Sequence, residues 1–369
     1  MEENLKQAKE YSKFKVGITI VQFILTIAFL LTMLVSGTSS LLRDIIMSWT
    51  HNFYLQVGLY MIIFGGIYYL IFLPIDFYDG FLVEHKFHLS NETIFGWAIK
   101  NLKKVLVSLP IILIAAEVLY FLLRYFPNSW WLLLTALWLL FTIVLNKIAP
   151  VLIIPLFYKC RPLTSSGLQS KLIELSNRFG FDIKGVFEIK LSKDTKKANA
   201  AVVGFGRGRR ILLGDTLLAN YTEEEIEAVF AHELGHLRLF HTWKILGFGT
   251  VISLACFYLT YLIFKAATDF FGFENIYNFA AFPLLLLFLS LLGLVLVPIQ
   301  NGYLRRLEKQ ADMFALDCIQ DKQNFISAIT KLGNQNLSDP SPGKLVELFL
   351  YTHPPISRRL SYAREKSEK

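Results

Sequence analysis

The stretch Ala231-His232-Glu233-Leu234-Gly235-His236 lies between two blocks of membrane-length apolar sequence. Histidines four residues apart on a helix share one face, so His232 and His236 can bind the same zinc ion. Glu233 between them can accept a proton from a water that the metal polarises. Because apolar blocks flank it, we expect this helix to lie at a membrane surface. The stretch therefore predicts a metal-dependent hydrolytic site within a membrane protein.

The composition of the chain also indicates a membrane protein. Of its 369 residues, 54% are hydrophobic, and the mean hydropathy is +0.46, which is too apolar for an ordinary soluble enzyme. The net charge is +8, but the basic residues concentrate between the apolar blocks, as in cytosolic loops, so we expect no nucleic-acid partner. The three cysteines are scattered, which argues against a cysteine metal site and against a disulfide framework.

Six apolar segments are each close to the roughly 20 residues that are needed to cross the ~30 Å hydrocarbon core of a bilayer. They are residues 16–36, Phe53–Leu73, Val105–Leu123, Trp130–Ala149, Ile245–Phe264 and Phe282–Val297. The first could instead be a signal peptide, but its length and the lack of a small-residue cleavage site favour an uncleaved anchor. The predicted fold is a mainly α-helical multi-pass membrane protein with a small cytosolic α/β zinc-metalloprotease domain.

The basic residues also predict the topology. The N-terminal segment carries four lysines, residues 158–244 are rich in lysine and arginine, and residues 266–281 have neither. Alternation across six spans then places both termini and residues 158–244 in the cytosol. The membrane would be the bacterial plasma membrane or, in a eukaryote, the endoplasmic reticulum. The expected division is a four-span membrane domain (1–157), a metalloprotease portion with the zinc helix (158–244), a two-span hairpin (245–300) and a second metalloprotease portion (301–369).

The segment 158–244 has the pattern of a small α/β unit. We predict a helix over Ser165–Gly180, and strands over Val186–Lys190, Ala198–Val203 and Ile211–Leu213. Gly204–Gly208 is expected to form the hairpin turn between the last two strands.

The helix that carries the two histidines has a clear start signal. Thr222 is a typical N-cap, and Glu225 three residues later completes a capping box. We expect the helix to end near His241–Lys244. His241, five residues after His236, is expected to point about 140° away from it on the same helix, which excludes it as a ligand of the same ion.

A hydrolytic zinc site needs a third protein ligand and an open position for water. Glu308 is the best candidate, since it follows the last apolar segment among strong helix formers. Asp312 lies on the same helix face, where it can orient a ligand histidine through its ring N–H. On its own, such a pair of carboxylates more often lies on the solvated face of a helix. Its interpretation as a zinc ligand and the partner of a ligand histidine therefore depends on the histidine motif.

The order of these motifs resembles that of the type I CAAX prenyl proteases, which are integral-membrane zinc endopeptidases of the gluzincin kind. The resemblance rests on His232–His236, a membrane hairpin, Glu308–Asp312, and His353-Pro354-Pro355 with Arg359. Residues 83–86, 155–157 and 199–204 also resemble segments of this family. Eukaryotic members have seven spans, whereas we expect six here.

The resemblance and the residue chemistry together predict the roles of the site residues. One zinc ion would bind to His232, His236 and Glu308, with Glu233 as the general base. His353 is the candidate for stabilising the tetrahedral oxyanion, although a purely structural role in its turn is the alternative.

Other residues are expected to orient the site and bind substrate. Arg359 could pair with Asp312 or with a substrate carboxylate. Asn199 and Ala200 would offer backbone groups to an extended substrate strand. The expected substrate is a peptide or protein tail near the bilayer, possibly prenylated.

Two other functions remain open from the sequence. A membrane quality-control protease of the heat-shock type would share all of this chemistry. A non-enzymatic metal-binding transporter or receptor is the second alternative, but the chain lacks paired broken helices in two matching halves. Glu117, a charge within an apolar segment, is expected either to line a hydrated chamber between the spans or to pair with a neighbouring helix.

Overall fold

The computed structural model describes residues 2–181, 183, 185–204 and 209–368. Six helical segments in this part of the chain are long and apolar enough to cross a membrane: Glu2–Val35, Phe53–Lys86, Ile94–Tyr125, Trp130–Phe157, His241–Phe270 and Phe279–Cys318. They coincide with the six predicted spans and extend beyond them, because the polar flanking residues continue the helices. The predicted multi-pass helical fold is therefore confirmed.

The first part of the chain is almost entirely helical. Its helices are α1 (Glu2–Val35), α2 (Thr38–Trp49), α3 (Phe53–Phe77), α4 (Glu84–Lys86), α5 (Ile94–Tyr125), α6 (Trp130–Ile148) and α7 (Ile154–Phe157). π-Helical turns at Tyr78–Val83 and Ala149–Ile153 join α3 to α4 and α6 to α7. The short α2 was not predicted. Ser39 anchors it by donating to the Ala280 carbonyl at 2.6 Å, while apolar side chains such as Trp49 remain exposed.

Buried side chains of the membrane helices concentrate at one end of the bundle. This cluster joins α1, α3, α5, α6 and the helix of the last span through buried residues that include Leu30, Tyr60, Tyr120, Trp130 and Leu284. By contrast, none of the residues 94–115 of α5 is buried, and α6 buries only Trp130 and Thr135. The largest buried cluster of the membrane helices thus lies at the end where α1 finishes, and a smaller one joins Tyr11 and Ile18 of α1 to Val83 and Phe87 at the other end. A hydrated chamber between the membrane helices stays a prediction.

Glu117 lies in α5 against α3. A Cβ atom built on Gly58 of α3 would be 3.4 Å from Glu117 Oε1. The other oxygen, Oε2, is buried and has no hydrogen-bond partner among the described residues. This carboxyl group thus faces a neighbouring helix, as expected for a charged residue in an apolar span.

A four-stranded sheet follows the membrane helices. Its strands are β1 (Cys160–Pro162), β2 (Val186–Ile189), β3 (Ala200–Val203) and β4 (Arg210–Gly214), in the order β1-β2-β4-β3. β2 and β4 are parallel, and the two outer pairs are antiparallel. The three predicted strands lie where expected, whereas β1, which is short and exposed, was missed. The predicted turn Gly204–Gly208 lies mainly outside the described residues.

The helices around the sheet are α8 (Ser166–Arg178), α9 (Asp215–Asn220) and α10 (Glu223–Arg238). The predicted capping box of α10 is present: the Thr222 side chain accepts from the Glu225 N–H, and the Glu225 carboxylate accepts from the Thr222 N–H. The prediction that this helix continues to His241–Lys244 is wrong. It ends at Arg238, and Phe240 adopts a left-handed conformation with φ 56° that starts a new helix at His241.

The remaining helices are α11 (His241–Phe270), α12 (Phe282–Cys318), α13 (Lys322–Gln335), α14 (Lys344–Leu350) and α15 (Ile356–Ser367). α12 runs through Pro298 without interruption, so it continues from the last span into the site. α8, β4, α9, α10 and α13 share one hydrophobic core that includes Leu172, Leu213, Leu217, Phe230 and Phe325. The segments before and after the last membrane hairpin therefore fold together.

Candidate metal centre

Two helices that are far apart in sequence cross closely at the site. Gly235 of α10 faces Ala311 of α12, and a Cβ atom on Gly235 would lie 3.0 Å from Ala311 Cα and 3.1 Å from its carbonyl oxygen. Only glycine allows this approach without displacing the α12 backbone. The crossing brings His232 and His236 on α10 opposite Glu308 on α12.

The three predicted ligands form a small triangle. The Nε2 atoms of His232 and His236 are 3.2 Å apart. Glu308 Oε2 lies 3.3 Å from His232 Nε2, and Glu308 Oε1 lies 3.5 Å from His236 Nε2. A tetrahedral zinc ion with bonds of about 2.0–2.1 Å separates its ligand atoms by about 3.3–3.4 Å. The ligand atoms thus lie at separations close to those of a zinc site, with a different carboxylate oxygen of Glu308 facing each histidine. The buried Glu308 Oε2 lacks any hydrogen-bond partner among the described residues.

Asp312 lies one turn after Glu308 and contacts the first histidine. Its Oδ1 is 2.7 Å from His232 Nδ1, the ring nitrogen that points away from the triangle. Arg359 donates to both carboxylate oxygens of Asp312, at 2.8 and 2.6 Å, and Tyr362 donates a further hydrogen bond. Of the two roles expected for Arg359, the structure therefore shows the pairing with Asp312.

This arrangement has a strong electrostatic effect on His232. Burial by itself would lower the pKa of the imidazole, but the neighbouring Asp312 carboxylate outweighs this effect, and the pKa rises to about 10. In the metal-free state the ring therefore keeps a proton that a metal ion must displace.

His353 lies close to the third predicted ligand, Glu308. Its Nε2 lies 3.3 Å from Glu308 Oε2. The turn before it is held by α12, because Arg305 donates to the Glu347 and Tyr351 carbonyls at 2.8 and 2.7 Å, and Asn301 donates to the Phe349 carbonyl at 2.7 Å. The same helix thus carries a predicted ligand and positions His353.

A cavity of about 690 Å³ brings most of the predicted residues together. Its walls include His232, Glu233, His353, Arg359, Asn199 and Ala200. Glu233 therefore shares one open space with the ligand His232 and with the predicted substrate strand. The sequence did not indicate that α1 forms another wall, through residues that include Ser12, Lys15 and Val16.

The predicted substrate strand lies at the edge of the sheet. β3 pairs with β4 on one side only. Asn199 just before β3 accepts from the Gly214 N–H at 2.9 Å. Asn336, after α13, makes two hydrogen bonds to Ala198: its Oδ1 accepts from the N–H at 2.9 Å, and its Nδ2 donates to the carbonyl at 3.2 Å. The start of the strand is thus fixed from both sides, and Asn336 was not predicted.

His241 and Gln310 were also missed. His241 Nδ1 lies 3.0 Å from His236 Nδ1, and His241 Nε2 lies 3.2 Å from Gln310 Oε1. The estimate that His241 points 140° away from His236 assumed one continuous helix and is wrong, because the turn at Phe240 brings His241 back. It contacts the ring edge of His236 that faces away from the triangle.

Comparison with known proteins follows the same division of the chain. The profile of peptidase family M48 matches residues 162–367, which include every predicted site residue. The chain belongs to peptidase family M48. Residues 1–159 match the profile described as the CAAX prenyl protease N-terminal region with five membrane helices. As a member of family M48, the protein is a multi-pass membrane metalloprotease, and this membership argues against a transporter or receptor.

Individual proteins that are similar to this M48 chain support the same family assignment. YhfN of Bacillus subtilis, an uncharacterized metalloprotease, is 30% identical over 99% of this chain and 86% of its own length. A probable CAAX prenyl protease 1 of Schizosaccharomyces pombe is 29% identical over 79% of this chain, which spans only 62% of that relative. The crystal structure of Ste24p from S. mikatae has the same fold, with a TM-score of 0.87 over 98% of this chain and 89% of that one, at 24% identity.

Proposed function

We propose that this M48 protease is a zinc endopeptidase that cleaves CAAX-type C-terminal tails at the cytosolic face of its membrane. The observation that carries the proposal is the triangle of His232, His236 and Glu308, with atom-to-atom distances of 3.2–3.5 Å, beside a cavity that His232 and Glu233 line. Two imidazoles and one carboxylate with an open fourth position are the ligand set of catalytic zinc.

Zinc bound to this triangle would lower the pKa of a bound water and polarise the scissile carbonyl group. Glu233 then acts as the general base: it takes the water proton and delivers it to the leaving amine. Asp312 holds His232 through the contact to its Nδ1, so that Nε2 faces the metal position.

The other walls of the cavity supply binding and charge stabilisation. His353 donates a hydrogen bond to the negative charge that develops on the substrate carbonyl oxygen. Asn199 and Ala200, at the open edge of β3, pair with the backbone of an extended peptide.

The proposed orientation and substrate rest on separate arguments. Lysine-rich segments next to the site favour the cytosolic side. The CAAX-type substrate is suggested by relatives that carry that name, such as the Schizosaccharomyces pombe protein. A site at the membrane surface suits a tail that a lipid group anchors in the bilayer.

The test uses purified full-length protein, a farnesylated CAAX peptide and its unlipidated twin. We expect the wild type to cleave the farnesylated peptide, and a chelator to stop cleavage. Glu233→Gln should keep the metal and lose about a hundredfold to ten-thousandfold in kcat, because it removes the general base. Cleavage at the wild-type rate by this variant would exclude the mechanism.

The same experiment addresses a second candidate function. The Bacillus subtilis relative covers 99% of this chain and is described only as a metalloprotease. That description names no prenylated substrate, so a protease for unlipidated membrane or misfolded proteins is the alternative. Equal cleavage of the two peptides would support this alternative and contradict specificity for the prenyl group.

A further inference from the structure

The second ligand histidine, His236, has its own series of hydrogen-bonding side chains. His236 Nε2 belongs to the ligand triangle, while its Nδ1 lies 3.0 Å from His241 Nδ1. His241 Nε2 in turn lies 3.2 Å from Gln310 Oε1. His241 is fully buried, so water does not compete for these contacts. A line of hydrogen-bonding groups therefore runs from the amide of α12 through two imidazoles to the metal position.

The backbone at Phe240 has an uncommon conformation, and this conformation allows His241 to contact His236. Phe240 has φ 56° and ψ 33°, a left-handed conformation that residues other than glycine rarely adopt. Its side chain is 63% exposed, so packing of the ring does not explain the turn. The turn's consequence is that His241 returns to the face of His236. Uncommon backbone conformations of this kind cluster at functional sites.

The order of donors and acceptors along the line follows from the amide oxygen. Gln310 Oε1 can only accept, so His241 Nε2 carries the proton and His241 Nδ1 presents a lone pair. His236 Nδ1 must then donate, which leaves the lone pair of His236 Nε2 for the metal. The reverse order would place a proton on His236 Nε2, towards His232 and Glu308, and would block metal binding.

We propose that His241 and Gln310 are positioning residues that hold His236 in the tautomer and ring orientation that bind zinc. The proposal rests on the proposed zinc site. The two ligand histidines are then held differently: His232 by the Asp312 carboxylate, and His236 by a neutral imidazole and an amide. Outer partners of metal-binding histidines commonly affect metal affinity by about 10–100-fold.

The experiment measures zinc affinity of the full-length protein by competition with a chromophoric chelator. His241→Phe should bind zinc about 10–100-fold more weakly than the wild type, since it leaves His236 Nδ1 without an acceptor. Gln310→Met, which removes the acceptor, should weaken binding in the same direction, whereas Gln310→Glu, which keeps one, should stay within about threefold of the wild type. The control His85→Phe, at a histidine that contacts the Phe81 carbonyl instead, should leave affinity unchanged.

The visible spectrum of the cobalt-substituted protein provides a second readout. A shift of the ligand-field bands in His241→Phe and Gln310→Met, but not in Gln310→Glu, is expected if His236 loses its orientation. Wild-type affinity and an unshifted spectrum in both defective variants would overturn the proposal. If His241→Phe fails to fold, the comparison of Gln310→Met with Gln310→Glu decides alone, and equal affinities overturn the proposal. Absence of zinc binding by the wild type would instead refute the proposed zinc site.

Discussion

At the scale of single residues, the site depends on a buried carboxylate. Asp312 is inaccessible to solvent and contacts His232, Arg359 and Tyr362 together. A buried charge is tolerated only when its oxygens are paired, and here Arg359 and Tyr362 provide the partners. Asp312 can therefore orient His232 without becoming protonated itself.

The raised pKa of His232 predicts that zinc binding depends on pH. Because the metal-free ring has a pKa of about 10 and zinc binds only the neutral ring, binding releases a proton below that pH. The apparent zinc affinity should therefore fall about tenfold for each unit that the pH decreases between 8 and 6. Competition titrations at three pH values measure the slope.

Asp312→Asn serves as the control for this slope. Loss of the carboxylate returns the pKa of His232 towards its ordinary value, so affinity should become nearly independent of pH above about 7. The same affinity at pH 6 and pH 8 in the wild-type protein would contradict the assigned charge of His232.

The sequence predicted the chemical roles of individual residues better than it predicted which residues contact one another. Glu308 and Asp312 follow from helical spacing and the needs of zinc, and the structure places them beside His232. His241 was excluded by a calculation that holds only on an unbroken helix. No glycine or proline marks the break at Phe240, so the sequence offers no local signal for it.

At the scale of elements, α10 must be fixed at its start for the ligands to be aligned. Glu225 accepts hydrogen bonds from the Thr222 N–H at 2.9 Å, from Ser327 at 2.6 Å and from Lys331 at 2.7 Å. The last two residues lie on α13. Glu225 thus caps the zinc helix and connects it to a neighbouring helix.

Glu225→Ala should lower the free energy of unfolding of the site region by about 1–3 kcal/mol, because it removes the cap and the hydrogen bonds from Ser327 and Lys331. Glu224→Ala is the matched control one residue earlier, since Glu224 is about half exposed and faces Lys171 at 3.5 Å. The control should change stability by less than about 0.5 kcal/mol. Thermal unfolding of both variants tests the difference, and equal losses would contradict the role of Glu225.

The start of β3 allows a second test at this scale. Asn336 bonds to both backbone groups of Ala198, so Asn336→Ala should loosen the adjoining Asn199–Ala200 edge. We expect KM for peptide substrates to rise severalfold while zinc affinity stays unchanged. Asn336→Asp keeps the acceptor and should show a smaller effect. A change in zinc affinity without a change in KM would be incompatible with this assignment.

At the scale of the whole molecule, distant segments build one site. The ligands come from α10 and α12, His353 comes from the C-terminal part, and the cavity wall includes α1 from the opposite end of the sequence. The sequence predicted six spans because apolar length is a local property. It could not predict the contribution of α1, since contacts over 200 residues leave no local pattern.

Because α1 borders the cavity, we expect substitutions in α1 to alter substrate binding but not zinc binding. Val16 lines the cavity, so Val16→Trp should fill part of it and raise KM severalfold, with wild-type zinc content. Ile20 lies on the same helix, outside the cavity lining, and is 53% exposed, so Ile20→Trp should have little effect. An unchanged KM for Val16→Trp would mean that α1 does not border the substrate.

The zinc content of purified protein, measured by mass spectrometry, tests the central claim most directly. Wild type and Glu233→Gln should each contain one zinc ion per chain, because Glu233 is not a ligand. Glu308→Ala should contain much less, since only two ligands remain on α10. A full complement of zinc in Glu308→Ala, or none in the wild type, would contradict a metal site built by α10 and α12 together.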